Sequence, residues 1–536
     1  MTQHNHINHL ITDNMDVWTS AIKRKSSSGR GSSKKIELYG IKKLRELILE
    51  LAVRGKLVPQ DPNDEPASVL LERIAAEKAQ LVKEGKIKKP KKLPEISEEE
   101  KPFELPEGWE WSRLGDFVHV EMGQSPASKF YNQNGEGIPF FQGKADFNDI
   151  YPSVRYWCVQ PQKYAFDGDV LLSVRAPVGP TNISNIVCCI GRGLAALRPI
   201  SRAPTNYIFY MMQGFRSTLE SFATGTTFVA VSKVNVEHLV VSIPPLREQN
   251  LIVAKVDELM ALCDQLEAQT ESSLDAHQTL VTVLLDTLVN SQNAEDLTEN
   301  WTRISGHFDT LFTTEHSIDQ LKQTILQLAV MGNLVPFGEV VNVKLKDLLA
   351  FGPKNGFSAK EVSYETELKV LKLGATSYGE LNVEESKFID ENIPSDSHLW
   401  LKPDDILIQR GNSSNFVGSN IIIKKECIGY IYPDLMMKIR ANELIEPSFL
   451  SLTLSAPNTR EFLWSRMTGT SGTMPKISKT IVESIPVTLP VSRQIQQEIV
   501  EKVSLLNGRC DQLKARLSDA QTTQLNLADA LVEQAL

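Results

Sequence analysis

Nine basic or amide side chains lie in stretches rich in glycine and proline, where loops project side chains away from a folded scaffold. They are Gln142, Lys144, Arg175, Arg192 and Lys233 in one stretch and Lys354, Arg410, Lys476 and Lys479 in another. Arginine and lysine can donate to guanine O6 and N7, and glutamine can pair with adenine N6 and N7. The set predicts contact with a nucleic acid, although an ordinary surface or structural role is the alternative for each residue taken singly.

Motifs that would indicate catalysis or cofactor binding are incomplete or absent. The segment Gly137–Ala145 resembles a phosphate-binding P-loop, but five residues separate its glycines and Ala145 stands where a serine or threonine would bind magnesium. The turn Gly191–Gly193 is too short for a dinucleotide fingerprint. No GxSxG or HExxH motif occurs, nor the Asn-Pro-Pro-aromatic tetrapeptide of amino-methyltransferases. We therefore predict no catalytic residue, no metal and no cofactor bound by this chain.

The remaining reactive side chains do not have the spacing of a metal or redox site. Three histidines lie in a polar N-terminus that is expected to be disordered, and the other six are scattered. Asp404 and Asp405 precede an aliphatic run and are expected to end a turn before a strand. The six cysteines form no CxxC pair, which favours free thiols in the cytoplasm. No stretch approaches the ~18 apolar residues of a membrane span, so we expect no membrane contact.

The net charge of −9 argues against nucleic acid until its distribution is considered. Residues 246–337 contain 4 basic and 14 acidic residues, so the acidity belongs to that segment. Residues 1–102 contain 20 basic and 15 acidic residues, and the stretches 103–245 and 338–490 are nearly neutral. A nearly neutral domain can still present one basic face to a phosphate backbone.

The chain contains two copies of one frame. The segment LRELILELAVRGKLVP, which starts at Leu44, recurs as LKQTILQLAVMGNLVP from Leu321 with ten of sixteen positions identical. A second block that starts at Val231 recurs from Ile477. Two related frames around dissimilar inserts suit a molecule that holds two different readers in equivalent positions.

Between these blocks the resemblance is faint. GDVLLSVRAP echoes DDILIQRGNS, and we match Arg175 with Arg410 as the arginine that the two segments have in common. Lys233 and Lys479 occupy one position of the shared frame, so we interpret them as contacts to a phosphate backbone rather than to bases.

Apolar residues spaced alternately by three and four predict two long helices with heptad seams, which would form a spacer and a subunit interface. The seam positions are Ile252, Val256, Leu259, Cys263 and Leu266 in the first copy and Ile499, Val503, Leu506, Cys510 and Leu513 in the second. The first pattern continues loosely to Leu288, which predicts a helix of about 45 residues. Shorter stripes from Leu44 and Leu321 end at Gly55 and Gly332, where helix C-caps are expected, and these helices can lie antiparallel to the long ones.

These patterns divide the chain into six segments. They are a disordered basic and polar tail (1–36), a helical region with a basic linker (37–102), a first variable domain (103–245), a central helical spacer (246–337), a second variable domain (338–490) and a C-terminal helix that pairs with the frame (491–536). The run KEGKIKKPKK of the linker is interpreted as solvated, with phosphate contact as the alternative. We predict an α+β fold in which two α/β domains occupy a duplicated pseudo-twofold frame and long antiparallel coiled-coil helices separate them.

Four segments, taken in their order and duplication, resemble the specificity subunit of a type I restriction-modification enzyme. They are the repeated LRELILELAVRGKLVPQ block, ELPEGWEWSRLGDF, GIPFFQGKADF and SIPPLREQNLIVAKVDEL. The resemblance covers nearly the whole chain beyond about residue 35. The second half departs from the pattern, since it has no counterpart of Asp61–Pro102 and a shorter segment, VVNVKLKDLL, leads into its domain.

This resemblance implies that each variable domain is a target recognition domain that reads one half of a split, asymmetric sequence in double-stranded DNA. The helices would set the gap between the half-sites and dock two modification subunits, which carry S-adenosylmethionine and methylate adenine. Restriction subunits would add translocation and cleavage that depend on ATP and Mg. The chain itself would be a non-catalytic subunit.

Two other classes of protein remain open at this point. A structural adaptor would join proteins through its coiled-coil helices and inserts, and its acidic segment 246–337 would suit a basic partner. An enzyme ranks last because complete catalytic motifs are missing. DNA binding that weakens steeply as salt rises would separate the specificity subunit from the adaptor.

Overall fold

The computed structural model describes residues 9–24, 36–223, 230–377, 379–469 and 474–536. Two compact units divide the chain. Unit 1 comprises the residues up to Ser272 together with Gln521–Leu536, and unit 2 comprises Ser273–Ala520. Each unit combines a mixed α/β domain with helices of the repeated frame. The predicted fold class is therefore confirmed.

The α-helices alternate between the frame and the two domains. In chain order they are α1 (Met15–Ser20), α2 (Tyr39–Val53), α3 (Ala67–Lys83), α4 (Leu114–Phe117), α5 (Thr205–Gly214), α6 (Arg216–Ser221), α7 (Lys233–His238), α8 (Leu246–Val289), α9 (Ala294–Gly306), α10 (Phe308–Leu311), α11 (Glu315–Val330), α12 (Pro447–Ser455), α13 (Pro457–Trp464), α14 (Lys479–Glu483) and α15 (Arg493–Ala535). Helix α8 has 44 residues, close to the predicted length, and α15 has 43. The chain passes from unit 1 to unit 2 within α8 and returns to unit 1 within α15.

The repeated short helices α2 and α11 end as their sequences predict. Gly55 and Gly332 follow them with φ of +68° and +78°, a left-handed conformation that glycine adopts without the steric cost of a Cβ. The apolar stripe of each helix is buried, including Leu44 at 0% exposure and Leu321 at 2%. These C-terminal caps end the two helices at equivalent positions of the repeated frame.

In unit 1, helix α2 contacts the beginning of α8 and the end of α15. Arg45 Nη2 lies 2.6 Å from Asp264 Oδ1 on α8. On α15, Asp529 Oδ1 accepts a hydrogen bond of 2.8 Å from Tyr39 Oη. Three helical segments from distant parts of the sequence therefore form the frame of this unit.

Unit 2 has the same three-helix frame with the long helices exchanged. Lys322 on α11 forms an ion pair with Asp511 on α15, and Asp319 pairs with Lys514. The later residue of α11 contacts the earlier residue of α15, so the two helices run antiparallel as predicted. Gln320 on α11 also donates to the hydroxyl of Thr282 near the end of α8.

The domain of unit 1 contains two sheets and a separate strand pair. Its strands are β3 (Glu110–Arg113), β4 (His119–Met122), β5 (Tyr131–Asn132), β6 (Ile138–Phe141), β7 (Tyr156–Cys158), β8 (Tyr164–Ala165), β9 (Val170–Ser173), β10 (Thr181–Ile183), β11 (Cys188–Ile190), β12 (Leu194–Arg198) and β13 (Val240–Ile243), which follow the N-terminal pair β1 (Lys23–Arg24) and β2 (Ile36–Glu37). One sheet has the order β10-β9-β12-β4 and is antiparallel throughout. The other has the order β5-β7-β6-β11-β8, in which β6 and β11 are parallel. Strands β3 and β13 pair where the chain enters and leaves the domain.

The domain of unit 2 repeats this topology. Its strands are β14 (Val340–Lys344), β15 (Leu349–Asn355), β16 (Lys369–Leu371), β17 (Ser386–Phe388), β18 (Asp405–Gln409), β19 (Asn420–Ile422), β20 (Tyr430–Ile431), β21 (Met436–Ala441) and β22 (Pro486–Pro490). The order β19-β18-β21-β15 matches that of the antiparallel sheet in unit 1, and β16 and β20 are the parallel pair of the second sheet. Strands β14 and β22 again close the domain. The inserts that look dissimilar in sequence are thus one fold.

The predicted disorder of residues 1–36 is wrong for residues 9–24. Trp18 of α1 is fully buried, and a Cβ on Gly40 of α2 would lie only 2.3 Å from the Trp18 carbonyl oxygen. Leu10, Ile11 and Val17 are buried as well, so these apolar residues form one face at helical spacing. The surrounding polar residues obscured that face in the sequence. Residues 1–8 and 25–35, including His4 and His6, lie outside the described residues.

Candidate nucleic-acid interface

The loops that carry the predicted contact residues of unit 1 meet at one end of its two sheets. The Val174 amide donates to the Gly193 carbonyl at 2.9 Å, and the Val174 carbonyl accepts from the Val231 amide at 3.0 Å. The Gly191 amide donates to the Phe141 carbonyl at 2.8 Å. We define the first loop face as residues 123–125, 142–144, 174–177, 191–193 and 230–233.

Five predicted residues lie on this first loop face. They are Gln142, Lys144, Arg175, Arg192 and Lys233, and all of them are exposed. The segments after β6, β9 and β11 and the start of α7 thus bring together side chains that are up to 91 positions apart in the sequence. An exposed guanidinium or amide at such a surface is free to contact an external ligand.

Glycines determine how closely these loops pack. A Cβ on Gly193 would lie 2.4 Å from the Gln142 carbonyl oxygen, and a Cβ on Gly123 would lie 2.2 Å from the Gly191 carbonyl oxygen. Only glycine fits such approaches, which explains the Gly-Arg-Gly sequence as a tight turn that points Arg192 outward. The Arg192 amide donates to Ser125 Oγ at 3.2 Å and so fastens the turn to the loop after β4.

The partial P-loop sequence is a structural turn. The Asp146 carboxylate accepts from the Gln142 amide at 2.7 Å and from the Gly143 amide at 3.3 Å. Asp146 is 1% exposed, and Arg155 pairs with it at 2.5 Å. A carboxylate of the chain therefore occupies the amide groups that a phosphate would require.

Unit 2 has an equivalent surface at the same ends of its strands. The Arg410 amide donates to the Leu435 carbonyl at 2.8 Å, and the Arg410 carbonyl accepts from the Ile477 amide at 2.9 Å. The Asp434 amide donates to Ser358 Oγ at 3.3 Å, as the Arg192 amide does to Ser125 in unit 1. We define the second loop face as residues 356–358, 410–413, 433–435 and 476–479.

These hydrogen bonds correct the alignment of Arg175 with Arg410. Val174 and Arg410 make the same two backbone bonds, so Arg175 is equivalent to Gly411, which bridges Lys476 as Arg175 bridges Ala230. Pairing the two arginines by residue type displaced them by one position, because the two segments written without a gap already place Arg175 opposite Gly411. Arg410 is half-buried and Lys476 is exposed.

Lys354 does not belong to the second loop face. It lies on β15, opposite Lys438 on β21, and its Nζ is 5.4 Å from the centre of the Phe351 ring. Its side chain is exposed on the sheet rather than at a loop tip. The glycine and proline around it, which suggested a loop, belong to an irregular strand with two register shifts.

Lys233 and Lys479 occupy equivalent positions, as predicted. Each is the first residue of a short helix, α7 or α14, and follows a serine whose hydroxyl caps that helix. Both side chains are exposed, and Lys233 Nζ lies 3.4 Å from Glu237 Oε1 in its own helix. Their contact with a phosphate backbone stays a prediction.

The similar segments GDVLLSVRAP and DDILIQRGNS share a buried aspartate that forms an ion pair, rather than a residue that contacts a ligand. Asp169 is 1% exposed and pairs with Arg198 at 2.8 Å. Asp405 is fully buried and pairs with Arg440 at 2.6 Å and with Lys438 at 3.1 Å. Burial lowers the pKa of Lys438 in spite of the carboxylate beside it. Both pairs lie at the strand ends opposite the loop faces, so their role is to hold each sheet together.

Two polar residues in or directly beside the second loop face were missed in the sequence. Asp434 accepts a hydrogen bond of 2.5 Å from Ser358 Oγ. Gln409 is fully buried, where its amide donates to Thr376 Oγ1 at 2.9 Å and accepts from Asn412 Nδ2 at 2.6 Å. Neither residue lies in a motif, and only the folded arrangement of the loops reveals them.

The predicted seam residues are covered by the chain itself. Those that are at most 4% exposed are Ile252, Val256, Leu259, Cys263, Leu266, Ile499, Val503 and Cys510, whereas Leu506 and Leu513 are half-buried. In unit 2 the seam packs against α11 in one hydrophobic core. A partner subunit would therefore have to use other faces of the long helices, where Leu280 and Leu527 are 50% and 43% exposed.

No grouping of three or more histidine, cysteine or acidic side chains that could hold a metal ion exists among the described residues. Burial raises the pKa of the Cys188 and Cys263 thiols to about 11, which disfavours the reactive thiolate. Within the part of the chain that the structure describes, no helix has the length and apolar character needed to cross a bilayer.

Comparisons with known proteins find relatives that match nearly the whole chain. The profile of the type I restriction modification DNA specificity domain matches residues 106–276 and 338–520. The type I restriction enzyme EcoEI specificity subunit of Escherichia coli is 39% identical over an alignment length of 593 residues. This alignment covers 98% of this chain and 99% of that protein. The EcoAI specificity subunit of Escherichia coli is 39% identical over 592 residues, with the same coverage. The crystal structure of the HsdS subunit from Thermoanaerobacter tengcongensis aligns with 31% identity and a TM-score of 0.30 over 48% of this chain and 64% of that one.

Both inserts match one family profile, and two specificity subunits align with the chain at 39% identity over nearly the full length of each protein. The chain therefore belongs to the family of specificity subunits of type I restriction-modification enzymes.

Proposed function

We propose that this DNA specificity subunit reads a split, asymmetric target in double-stranded DNA, with one half-site for each loop face. The observation that carries the proposal is the pair of loop faces, which stand on the same strand ends but expose different side chains. A protein that reads two different half-sites needs equivalent scaffolds and different contact groups.

On the first loop face, Arg175, Arg192 and Gln142 offer the donors that match guanine O6 and N7 or adenine N6 and N7. On the second, Arg410 and Lys476 are donors, whereas the Asp434 carboxylate can accept from cytosine N4. Lys233 and Lys479 hold the phosphate backbone in the same way at both half-sites, because they share a frame position.

The chain is a non-catalytic subunit, and we propose that its partners carry the chemistry in the cytoplasm. Two modification subunits would bind S-adenosylmethionine and methylate adenine, and restriction subunits would bind ATP and Mg to translocate and cleave DNA. The exposed leucines Leu280 and Leu527 favour docking of partner helices on the outer faces of α8 and α15, since apolar side chains in this position gain from being covered.

Mapping of methyladenine in host DNA tests this proposal. A two-part motif with a fixed gap should be methylated when the gene is present and should lose methylation when it is deleted. Replacing residues 103–245 with the corresponding domain of another family member should change one half-site only. An unchanged methylome in a strain with active modification subunits, or a change in both half-sites after the exchange, would count against the proposal.

A further inference from the structure

The lysine-rich linker of unit 1 is a strongly charged surface that the two loop faces do not include. We define the basic strap as residues 83–92, KEGKIKKPKK, which contain six lysines and one glutamate. All six lysines are exposed. Among the described residues, only Lys86 forms an ion pair, with Glu84 at 2.8 Å. Unit 2 has no corresponding segment.

The strap begins from a helix that is fastened to the domain of unit 1. Leu70 and Ile74 of α3 are buried. Lys78 Nζ donates to three backbone carbonyls around α4, those of Gly115 at 2.6 Å, Asp116 at 2.8 Å and Val118 at 3.0 Å. Burial lowers the pKa of Lys78 to about 8. A side chain bound so closely holds the C-terminal half of α3 against the domain.

The strap also ends at a fixed point. The Arg113 guanidinium donates to the carbonyls of Pro94 at 3.2 Å and Glu95 at 2.9 Å. It pairs with Glu100 at 2.7 Å as well, and Glu98 pairs with Lys101. These two carboxylates are thus engaged locally, by Arg113 and Lys101 rather than by lysines of the strap. A segment anchored at both ends loses little conformational entropy on binding, unlike a free tether.

The residue that follows the strap lies near α7, the helix that begins at Lys233 of the first loop face. A Cβ on Gly115 would lie 3.0 Å from Leu93 Cδ1 and 2.9 Å from Glu237 Cβ. Glu237 in turn pairs with Lys233 of the loop face. Lys91 and Lys92 directly precede Leu93, so the C-terminal end of the strap lies on the side of the domain that carries α7.

We propose that the basic strap binds the phosphate backbone of duplex DNA next to the half-site that the first loop face reads. This inference rests on the proposed function and adds to it an asymmetry, since only unit 1 makes the flanking contact. The strap exposes lysine, glycine and proline but no large apolar side chain, because Ile87 is half-buried. Protein interfaces are depleted of lysine and rely on aromatic and arginine anchors, whereas a phosphate backbone attracts clustered lysines through release of counterions.

The test uses the complex assembled with its modification subunits and the variant Lys88→Gln, Lys89→Gln, Lys91→Gln, Lys92→Gln. Affinity for target DNA is measured as a function of salt on duplexes whose flanks are shortened on one side at a time. The slope of log K against log salt should fall by about 0.9 for each lost phosphate contact, hence by about 3 to 4. Shortening the flank beside the first half-site should weaken the wild type but not the variant. The methylated motif should not change.

Two controls isolate the strap. The four corresponding Lys→Arg substitutions should retain the wild-type slope because they keep the charge. Removal of four exposed lysines from unit 2, by Lys344→Gln, Lys346→Gln, Lys424→Gln and Lys425→Gln, should leave the dependence on the first flank intact.

An unchanged salt slope in the strap variant would overturn the inference, and so would failure of the variant to assemble with modification subunits, which would make the strap a protein contact. If the wild-type complex itself shows no preference for a bipartite target, the proposed function fails regardless of the strap.

Discussion

The two loop faces share their backbone and differ in their side chains. Equivalent hydrogen bonds and helix caps identify positions of the first loop face that correspond to positions of the second. The residue type is the same only at the serine pair and the lysine pair. The pairs are Gln124 and Phe357, Ser125 and Ser358, Val174 and Arg410, Arg175 and Gly411, Arg192 and Asp434, Ala230 and Lys476, and Lys233 and Lys479. Residues that bind backbone or cap helices are retained, whereas residues that point outward change in size or charge. The comparison teaches that the frame constrains the scaffold of each domain but not the chemistry of its loops.

The largest difference that we expect between the two units is in the unfolding free energy lost when the aspartate of the buried ion pair is replaced. Asp405→Asn would leave Lys438 and Arg440 without their carboxylate, and breaking a buried pair costs about 3 to 5 kcal/mol of unfolding free energy. Asp169→Asn should cost less, because Asp169 pairs with one cation, Arg198, whereas Asp405 also pairs with Lys438, whose side chain is only 3% exposed. Urea denaturation with hydrogen exchange to locate the unfolding unit measures both. Asp404→Asn is the control, since Asp404 is exposed and asparagine tolerates its φ of +67°. Equal losses at Asp405 and Asp169 would contradict the ranking.

The next effect concerns Arg192 and Asp434, which occupy equivalent positions on the two loop faces but carry opposite charges. Arg192→Ala in the assembled complex should weaken binding to the specific target by about 1 to 3 kcal/mol, as expected for loss of an arginine contact to a base. Asp434→Ala should instead relax base preference in the second half-site without weakening non-specific binding. Competition with duplexes substituted at single base pairs measures both. Lys354→Ala, on the sheet, should change neither. If Arg192→Ala altered the second half-site, the assignment of faces to half-sites would be wrong.

A smaller difference concerns the pH dependence of stability, because unit 1 buries a carboxyl group where unit 2 has an apolar residue. Glu248 accepts from Trp109 Nε1 at 2.9 Å, yet burial raises the pKa of Glu248 to about 7, whereas Ile495 occupies the equivalent turn of α15. The folded chain holds this proton between about pH 4.5 and pH 7 while the unfolded chain releases it. Stability should therefore fall as pH rises through that window, by about 1 to 2 kcal/mol after solvent screening. Urea denaturation across this range should show the decline, and Glu248→Gln should abolish it. A decline of the same size in the variant would exclude Glu248 as its cause.

The smallest effect concerns ion pairs that the two frames share. Arg45 with Asp264 and Lys322 with Asp511 occupy equivalent positions and are partly exposed. Double-mutant cycles to alanine should give couplings of about 0.2 to 1 kcal/mol in each unit. Arg45 should be at the upper end, since it also pairs with Glu267 at 2.7 Å. A coupling several times larger for Lys322 would show that the frames are not energetically equivalent.

Much of the fold could be predicted because its signals are local or repeated. The duplication, the glycine caps, the 44-residue helix and the α3 helix follow from identity, periodicity and stop signals over short distances. The order of Trp18 and its neighbours was missed because that segment becomes stable only against α2. The same α/β class was predicted for both inserts, but their shared strand order was not, because strands of two to seven residues tolerate almost complete replacement of their sequences.

The sequence by itself determined that this chain is a duplicated, family-recognisable frame around two inserts, since repetition and heptad spacing need no knowledge of long-range contacts. Only the tertiary structure decided which residues share a loop face and that Lys354 stands apart. It also showed the basic strap to be anchored at both ends. The physical reason is that these relations depend on hydrogen bonds between strand ends far apart in the chain, and residue type and spacing do not encode such contacts one segment at a time.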